Sequence, residues 1–123
     1  EWGGVENLIT RKDPQGKIWG PEERVDRETA LRVATINGAA YVLKKDRLGS
    51  VEVGKLADLV VLDRDYMTVP EEDISETRSL MTMLGGKIVF LHTDFASEYD
   101  LDPDGAVIST LEELEARRPD ANF

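Results

Sequence analysis

His92 is the only histidine of the chain, and Asp94 follows two residues later. An imidazole beside a carboxylate is the smallest unit that can hold a metal or pass a proton. No second histidine and no cysteine exists to complete such a site, so His92 is expected to be a surface or edge residue. Asp100, Asp102, Asp104 and Gly105 follow the D-x-D-x-D-G opening of a calcium loop. The loop's twelfth position is Leu111 instead of glutamate, and Glu112 fits only with one residue inserted. An Asp-rich turn is therefore expected, with Asp100, Asp102, Asp104 and Glu112 as the calcium candidates. Asp58, three residues after Lys55, could pass for a catalytic acid. It stands directly before an apolar block, where a carboxylate ordinarily bonds local N–H groups at a strand entry. Trp2, Trp19 and Tyr41 are expected to pack the start of the chain onto a helix.

These residues must be placed by a helical part and a β part. Residues 1–25 read as an irregular lead-in, broken by Gly3-Gly4, Asp13-Pro14-Gln15-Gly16 and Gly20-Pro21. Within it, Val5 to Ile9 fits a short helical turn or an extended piece. Residues 26–43 read as helix, with Asp26 as N-cap and Ala30, Leu31, Ala34 and Thr35 on one face. Asn37-Gly38 interrupts that pattern, and Asn37 is expected to cap a second short helix. Val51 and Val53 alternate with Glu52 like a strand, and Ala57 to Leu62 reads as a strand buried on both faces. Leu80 to Leu84 and Lys87 to Leu91 flank Gly85-Gly86, which predicts a hairpin with a primed turn. The polar tail 92–123 contains a possible helix over Phe95 to Tyr99 and a predicted one over Thr110 to Arg118. Thr110 is its N-cap, Glu113 its N3 residue, and Pro119 stops it.

Composition excludes several functions. A net charge of -10 leaves no basic face for nonspecific nucleic-acid binding. No apolar run approaches the roughly 18 residues of a membrane span. Without cysteine there is neither a disulfide nor a thiolate site. The chain starts at Glu1-Trp2-Gly3-Gly4 with no secretory signal, and is expected to be cut from something longer or processed, and cytoplasmic. Its four expected strands include a buried one with too little material to cover it. Open edges of that kind call for partner strands from elsewhere.

The residues from Glu28-Thr29-Ala30-Leu31 to Asn37-Gly38-Ala39-Ala40, from Asp46 through Gly49-Ser50 to Asp63, and from Thr82 to Phe90 stand in an order that carries a resemblance. They resemble the C-terminal part of the amidohydrolase superfamily, in particular the branch often called amidohydrolase family 3. The lead-in Thr10-Arg11-Lys12-Asp13-Pro14-Gln15-Gly16 and Gly20-Pro21-Glu22-Glu23-Arg24 resembles that branch too, so the likeness covers about residues 5–91. It implies an α+β fragment: the last loop and helix of a TIM barrel over residues 1–44, the C-terminal strands of the small β-sandwich domain over 45–92, and an acidic tail over 93–123. It implies a parent that hydrolyses non-peptide amide or cyclic amide C–N bonds with one or two divalent metals such as zinc. None of the family's metal ligands can be placed on this sequence, so the fragment is expected to hold no cofactor, to carry no catalytic residue and to be inactive. By the same resemblance Arg11 and Lys12 border the substrate mouth, and Arg11 is the substrate-binding candidate. The expected partners are the missing barrel and sandwich strands of the parent, or a second copy in a homo-oligomer, with no nucleic acid and no membrane. The alternative is a stand-alone structural or interaction module completed by dimerisation or strand exchange, with or without a calcium-binding tail.

Overall fold

The computed structural model describes residues 2–103 and 105. It is a small α+β fold with an antiparallel sheet of three strands in the order β1 (Leu59–Leu62), β2 (Ser79–Leu84), β3 (Lys87–Leu91). The chain opens with α1 (Trp2–Thr10), which takes the helical alternative for Val5 to Ile9 and carries it through Gly3-Gly4, where an irregular start was expected. Two glycines in its first turn cost it about 1 kcal/mol each against alanine. Packing overrides that cost, because Val5 and Ile9 lie one turn apart and both are buried. They form the core with Ala30, Tyr66 and Ile74, and Trp2, Leu8, Val25, Leu31, Leu62 and Val69 pack around them. The core therefore lies between α1, α2 (Arg27–Arg32) and a 3₁₀ helix over Glu71–Glu76.

Polar links close this core. The Arg27 guanidinium donates to the carbonyls of Tyr66 and Val69, and the Tyr66 hydroxyl donates to the Arg27 carbonyl at 2.9 Å. The Trp2 and Tyr66 rings stand 5.6 Å apart. The Glu6 carboxylate accepts the Ser75 N–H at 2.7 Å, tying the start of the chain to the 3₁₀ helix.

Asp26 caps α2 as expected, accepting the Thr29 N–H at 2.7 Å. Asn37 does not cap a second helix. It is helical itself, without a side-chain cap, inside a π-helical turn over Val33–Asn37 that runs into α3 (Gly38–Tyr41). The wider turn rotates the buried face. Ala34 and Thr35, expected on that face, are exposed, and Ile36 and Ala39 turn inward instead. Gly49 lies against them. A Cβ at Gly49 would come 2.8 Å from both the Ala39 Cβ and the Ile36 Cα, and its φ of +87° is one that side chains resist.

The predicted hairpin is present. Gly85 and Gly86 take φ of 56° and 83°, the positive pair of a primed turn. Two other β expectations are corrected. Val51 and Val53 form no strand and are fully exposed, at 88% and 108%, because no neighbouring strand pairs with them among the described residues. The apolar block yields β1 over four residues only, as an edge strand with Val60 45% exposed, and so it is not buried on both faces. In the tail, α4 (Thr93–Glu98) sits close to the helix placed at Phe95 to Tyr99. The expected helix over Thr110 to Arg118 lies outside the described residues.

Candidate functional site

The most elaborately built polar region is the loop that follows α1. Arg11 ends the helix with φ of 56°, a conformation that costs a non-glycine residue of order 1 kcal/mol. Its side chain is tied into the loop: Nε donates to the Trp19 carbonyl at 3.1 Å and Nη2 reaches Glu23 at 3.3 Å. Its carbonyl accepts the Trp19 N–H at 2.9 Å, and Lys12 and Ile18 pair as an isolated antiparallel bridge. Asp13 organises the turn between them. One carboxylate oxygen accepts the N–H groups of Gln15 at 3.0 Å and Lys17 at 2.9 Å, and the other accepts the Trp19 Nε1–H at 2.9 Å. The bond from Trp19, then the one from the Lys17 backbone, holds the Asp13 carboxyl below the usual carboxylate range. Lys12 reaches across to Glu72 at 3.0 Å, and that bond lowers the Glu72 pKa in turn.

Trp19 is therefore fixed but 55% exposed, with the Lys17 ammonium 3.6 Å above its ring. Of the three aromatics expected to pack the start of the chain, only Trp2 does so. Tyr41 stands 91% exposed at the end of α3.

His92 is buried, at 8% exposure, and is not the surface or edge residue expected. Its Nδ1 caps α4 by accepting the Asp94 N–H at 3.3 Å. That bond makes Nδ1 an acceptor, and Nε2 has no hydrogen-bond partner among the described residues. The Asp94 carboxylate lies 3.7 Å from Nδ1. These donors do not fit a divalent metal in this chain: one imidazole nitrogen is spent on the cap, the other is enclosed, and among the described residues no three His, Cys, Asp or Glu come together.

Asp58 takes the strand-entry role, but its partner is distant in sequence. Its carboxylate accepts the Gly85 N–H at 2.6 Å and so clamps the hairpin turn to the start of β1. Lys55 bonds Ser50 at 2.5 Å and Glu52 at 3.1 Å inside its own loop. Asp100 and Asp102 are exposed, and Asp104 and Glu112 lie outside the described residues.

One cluster escaped the sequence reading. Asp63 accepts from the Arg64 Nε at 3.1 Å, the Arg78 N–H at 2.9 Å and the Arg78 Nε at 3.1 Å. Burial raises its pKa, and the Arg78 backbone bond together with both arginine side chains outweighs it, leaving the carboxyl below the ordinary range. The only sequence signal was an aspartate closing an apolar strand; its partner lies fifteen residues on, across the sheet.

Comparison with known proteins gives these elements a context. The amidohydrolase family profile matches residues 1–90. The N-substituted formamide deformylase of Arthrobacter pascens is 34% identical over 85 residues, which is 69% of this chain and 16% of that protein. Protein LONG AFTER FAR-RED 3 of Arabidopsis thaliana is 36% identical over 87 residues, 70% of this chain and 15% of that protein. The imidazolonepropionase of Bacteroides fragilis strain YCH46 is 53% identical over 44 residues, 35% of this chain and 11% of that protein. A solved amidohydrolase from Thermotoga maritima aligns at 28% identity and a TM-score of 0.48, over 58% of this chain and 17% of its own. The matched region is thus a small part of each relative's length. The profile match extends from α1 almost to the end of β3, and on that extent the chain belongs to the amidohydrolase family.

Proposed function

We propose that this chain is the C-terminal segment of a metal-dependent, cytoplasmic hydrolase of non-peptide amide or cyclic amide C–N bonds. Residues 1–44 supply the last loop and helix of its TIM barrel, residues 45–92 the C-terminal strands of its β-sandwich, and 93–123 an added tail. The observation that carries this reading is the family match over residues 1–90, set against the matched 16% of the deformylase's length. Three of the relatives' names fit that bond class: a formamide deformylase, a deaminase of 5-methylthioadenosine and S-adenosylhomocysteine, and an S-triazine hydrolase. A divalent metal such as zinc would supply the activated water in the longer protein, held by residues outside this chain. In that setting the loop from Arg11 to Glu23 borders the substrate mouth, and Arg11 lends its remaining donor capacity to a substrate carbonyl or carboxylate.

Two measurements test this. The chain alone should hold no stoichiometric zinc after dialysis and should not hydrolyse N-alkylformamides or cyclic amides. Joined with a polypeptide that supplies the barrel, it should restore both properties. Hydrolysis by the isolated chain would overturn the assignment.

A second reading is favoured by one observation. The outer edges of β1 and β3 carry no partner strand among the described residues, and Tyr41, Leu43, Val51 and Val53 stand more than four-fifths exposed. A stand-alone module completed by a second copy would cover the same surface. A calcium-binding tail through Asp100, Asp102, Asp104 and Glu112 belongs to that reading, and calorimetry with calcium would detect it.

A further inference from the structure

After α4 the chain comes back to the sheet. Gly105 lies against β3: a Cβ there would come 3.1 Å from the Phe90 Cδ2, 3.2 Å from the Val89 carbonyl oxygen and 3.4 Å from the Phe90 Cα. That approach, with a φ of +79°, suits glycine and few other residues. β3 stands last in the order β1-β2-β3, so one of its sides faces β2 and the other is an outer edge. The His92 N–H donates to the Leu80 carbonyl at 2.8 Å, on the β2 side. Amides alternate in direction along a strand, so the Leu91 N–H points to the outer side.

The sequence supplies what such an edge takes. Gly105 is followed by Ala106-Val107-Ile108-Ser109-Thr110, which holds the sole run of three apolar residues after β3. Val107, Ile108 and Thr110 are β-branched and favour strands, and none of the five residues is charged. Charge and proline are the usual devices that keep an edge from pairing, and β3 beyond Lys87 carries neither. A segment tethered next to its seat has an effective concentration of about millimolar order, which a strand from a second copy must exceed. We infer that residues 106–110 add to the outer edge of β3 as a further strand, and that the tail thereby closes this edge to strand addition by another copy of the chain. The tail lies beyond residues 1–90 matched by the family profile, so this seat is independent of the hydrolase reading. Among the described residues, the outer edge of β1 is then the one left for a partner strand.

Nuclear Overhauser spectra of the intact 123-residue chain, taken on an equal mixture of labelled and unlabelled protein, test this. Backbone cross-peaks should join residues 106–110 to Val89 and Leu91 within one molecule. In hydrogen exchange, Val107→Pro with Ile108→Pro should speed the Leu91 amide at least about tenfold and leave the β2 amides as they were. Ala116→Pro, further along the tail, should leave the Leu91 amide unchanged. With its edge bare, the double variant should elute from a sizing column as a larger species than the parent chain. Absence of the cross-peaks, cross-peaks between molecules only, an unchanged Leu91 amide in the double variant, a like effect of Ala116→Pro, or co-elution of double variant and parent would each overturn the inference.

Discussion

At the level of single residues, carboxylates fix the backbone by accepting several N–H groups at once. Asp13 does so for its loop, Asp58 for the hairpin, and Asp63 for the crossing from β1 to β2. Asp63 is the most enclosed of these, with its side chain 10% exposed. Asp63→Asn should destabilise the fold by about 1–3 kcal/mol, since the two arginines and a backbone N–H lose the charge and one of the two oxygens they share. The pH dependence has a definite sign. A carboxyl whose pKa is lowered in the folded state adds stability above its unfolded value and loses it as pH falls through the folded pKa. The urea midpoint of the wild-type chain should therefore fall as the pH drops below the ordinary carboxylate range, about pH 4, and Asp63→Asn should flatten that slope. Local roles of this kind were legible where donor and acceptor lie close in sequence, as with Asp26 and Thr29. They were not legible for Asp63 with Arg78, or Asp58 with Gly85, because strand register brings those pairs together. The burial of His92 was not legible for a related reason: a cap that uses a ring nitrogen leaves no signature in spacing.

At the level of elements, each correction traces to packing against something distant. Residues 2–10 looked irregular because Gly3-Gly4 weakens a helix that Ile74 and Tyr66 then stabilise from afar. Ile74 is fully buried at the centre of that contact. Ile74→Ala should cost about 2–5 kcal/mol and should loosen α1 along with the 3₁₀ helix, seen as faster amide exchange in residues 5–10. The hairpin was legible from the two apolar runs flanking Gly85-Gly86, since two positive φ values leave few other residues suitable for the turn. The rotation at Val33–Asn37 was not legible, because a π turn costs one residue without changing the residue types around it. Gly49 locks that rotation in place. Gly49→Ala should destabilise by about 1–3 kcal/mol, since it combines a positive φ with a Cβ at 2.8 Å from Ala39 and Ile36. Unfolding in urea followed by circular dichroism measures both substitutions.

At the level of the whole molecule, the apolar surface is divided unevenly. The core gathers on α1, α2 and residues 62–76, while Val51, Val53, Tyr41 and Leu43 face solvent. Val51→Asp with Val53→Asp should leave the stability of the isolated chain within about 0.5 kcal/mol. The same pair should abolish self-association, or assembly with a barrel-bearing polypeptide, as read by light scattering on a sizing column. Loss of stability without loss of association would place those valines in the chain's own core. The family and the α+β class were legible because three motifs fall in order along the sequence; which faces stay bare was not, because it is set by packing between residues far apart in the chain. The contact between Glu6 and Ser75 spans 69 residues, and it orders events during synthesis. A ribosome adding about 5–20 residues per second needs roughly 3 to 14 s to make that stretch. Until then α1 has α2 but neither Tyr66 nor Ile74 to pack against, and part of its apolar stripe of Trp2, Val5 and Ile9 is available to a chaperone.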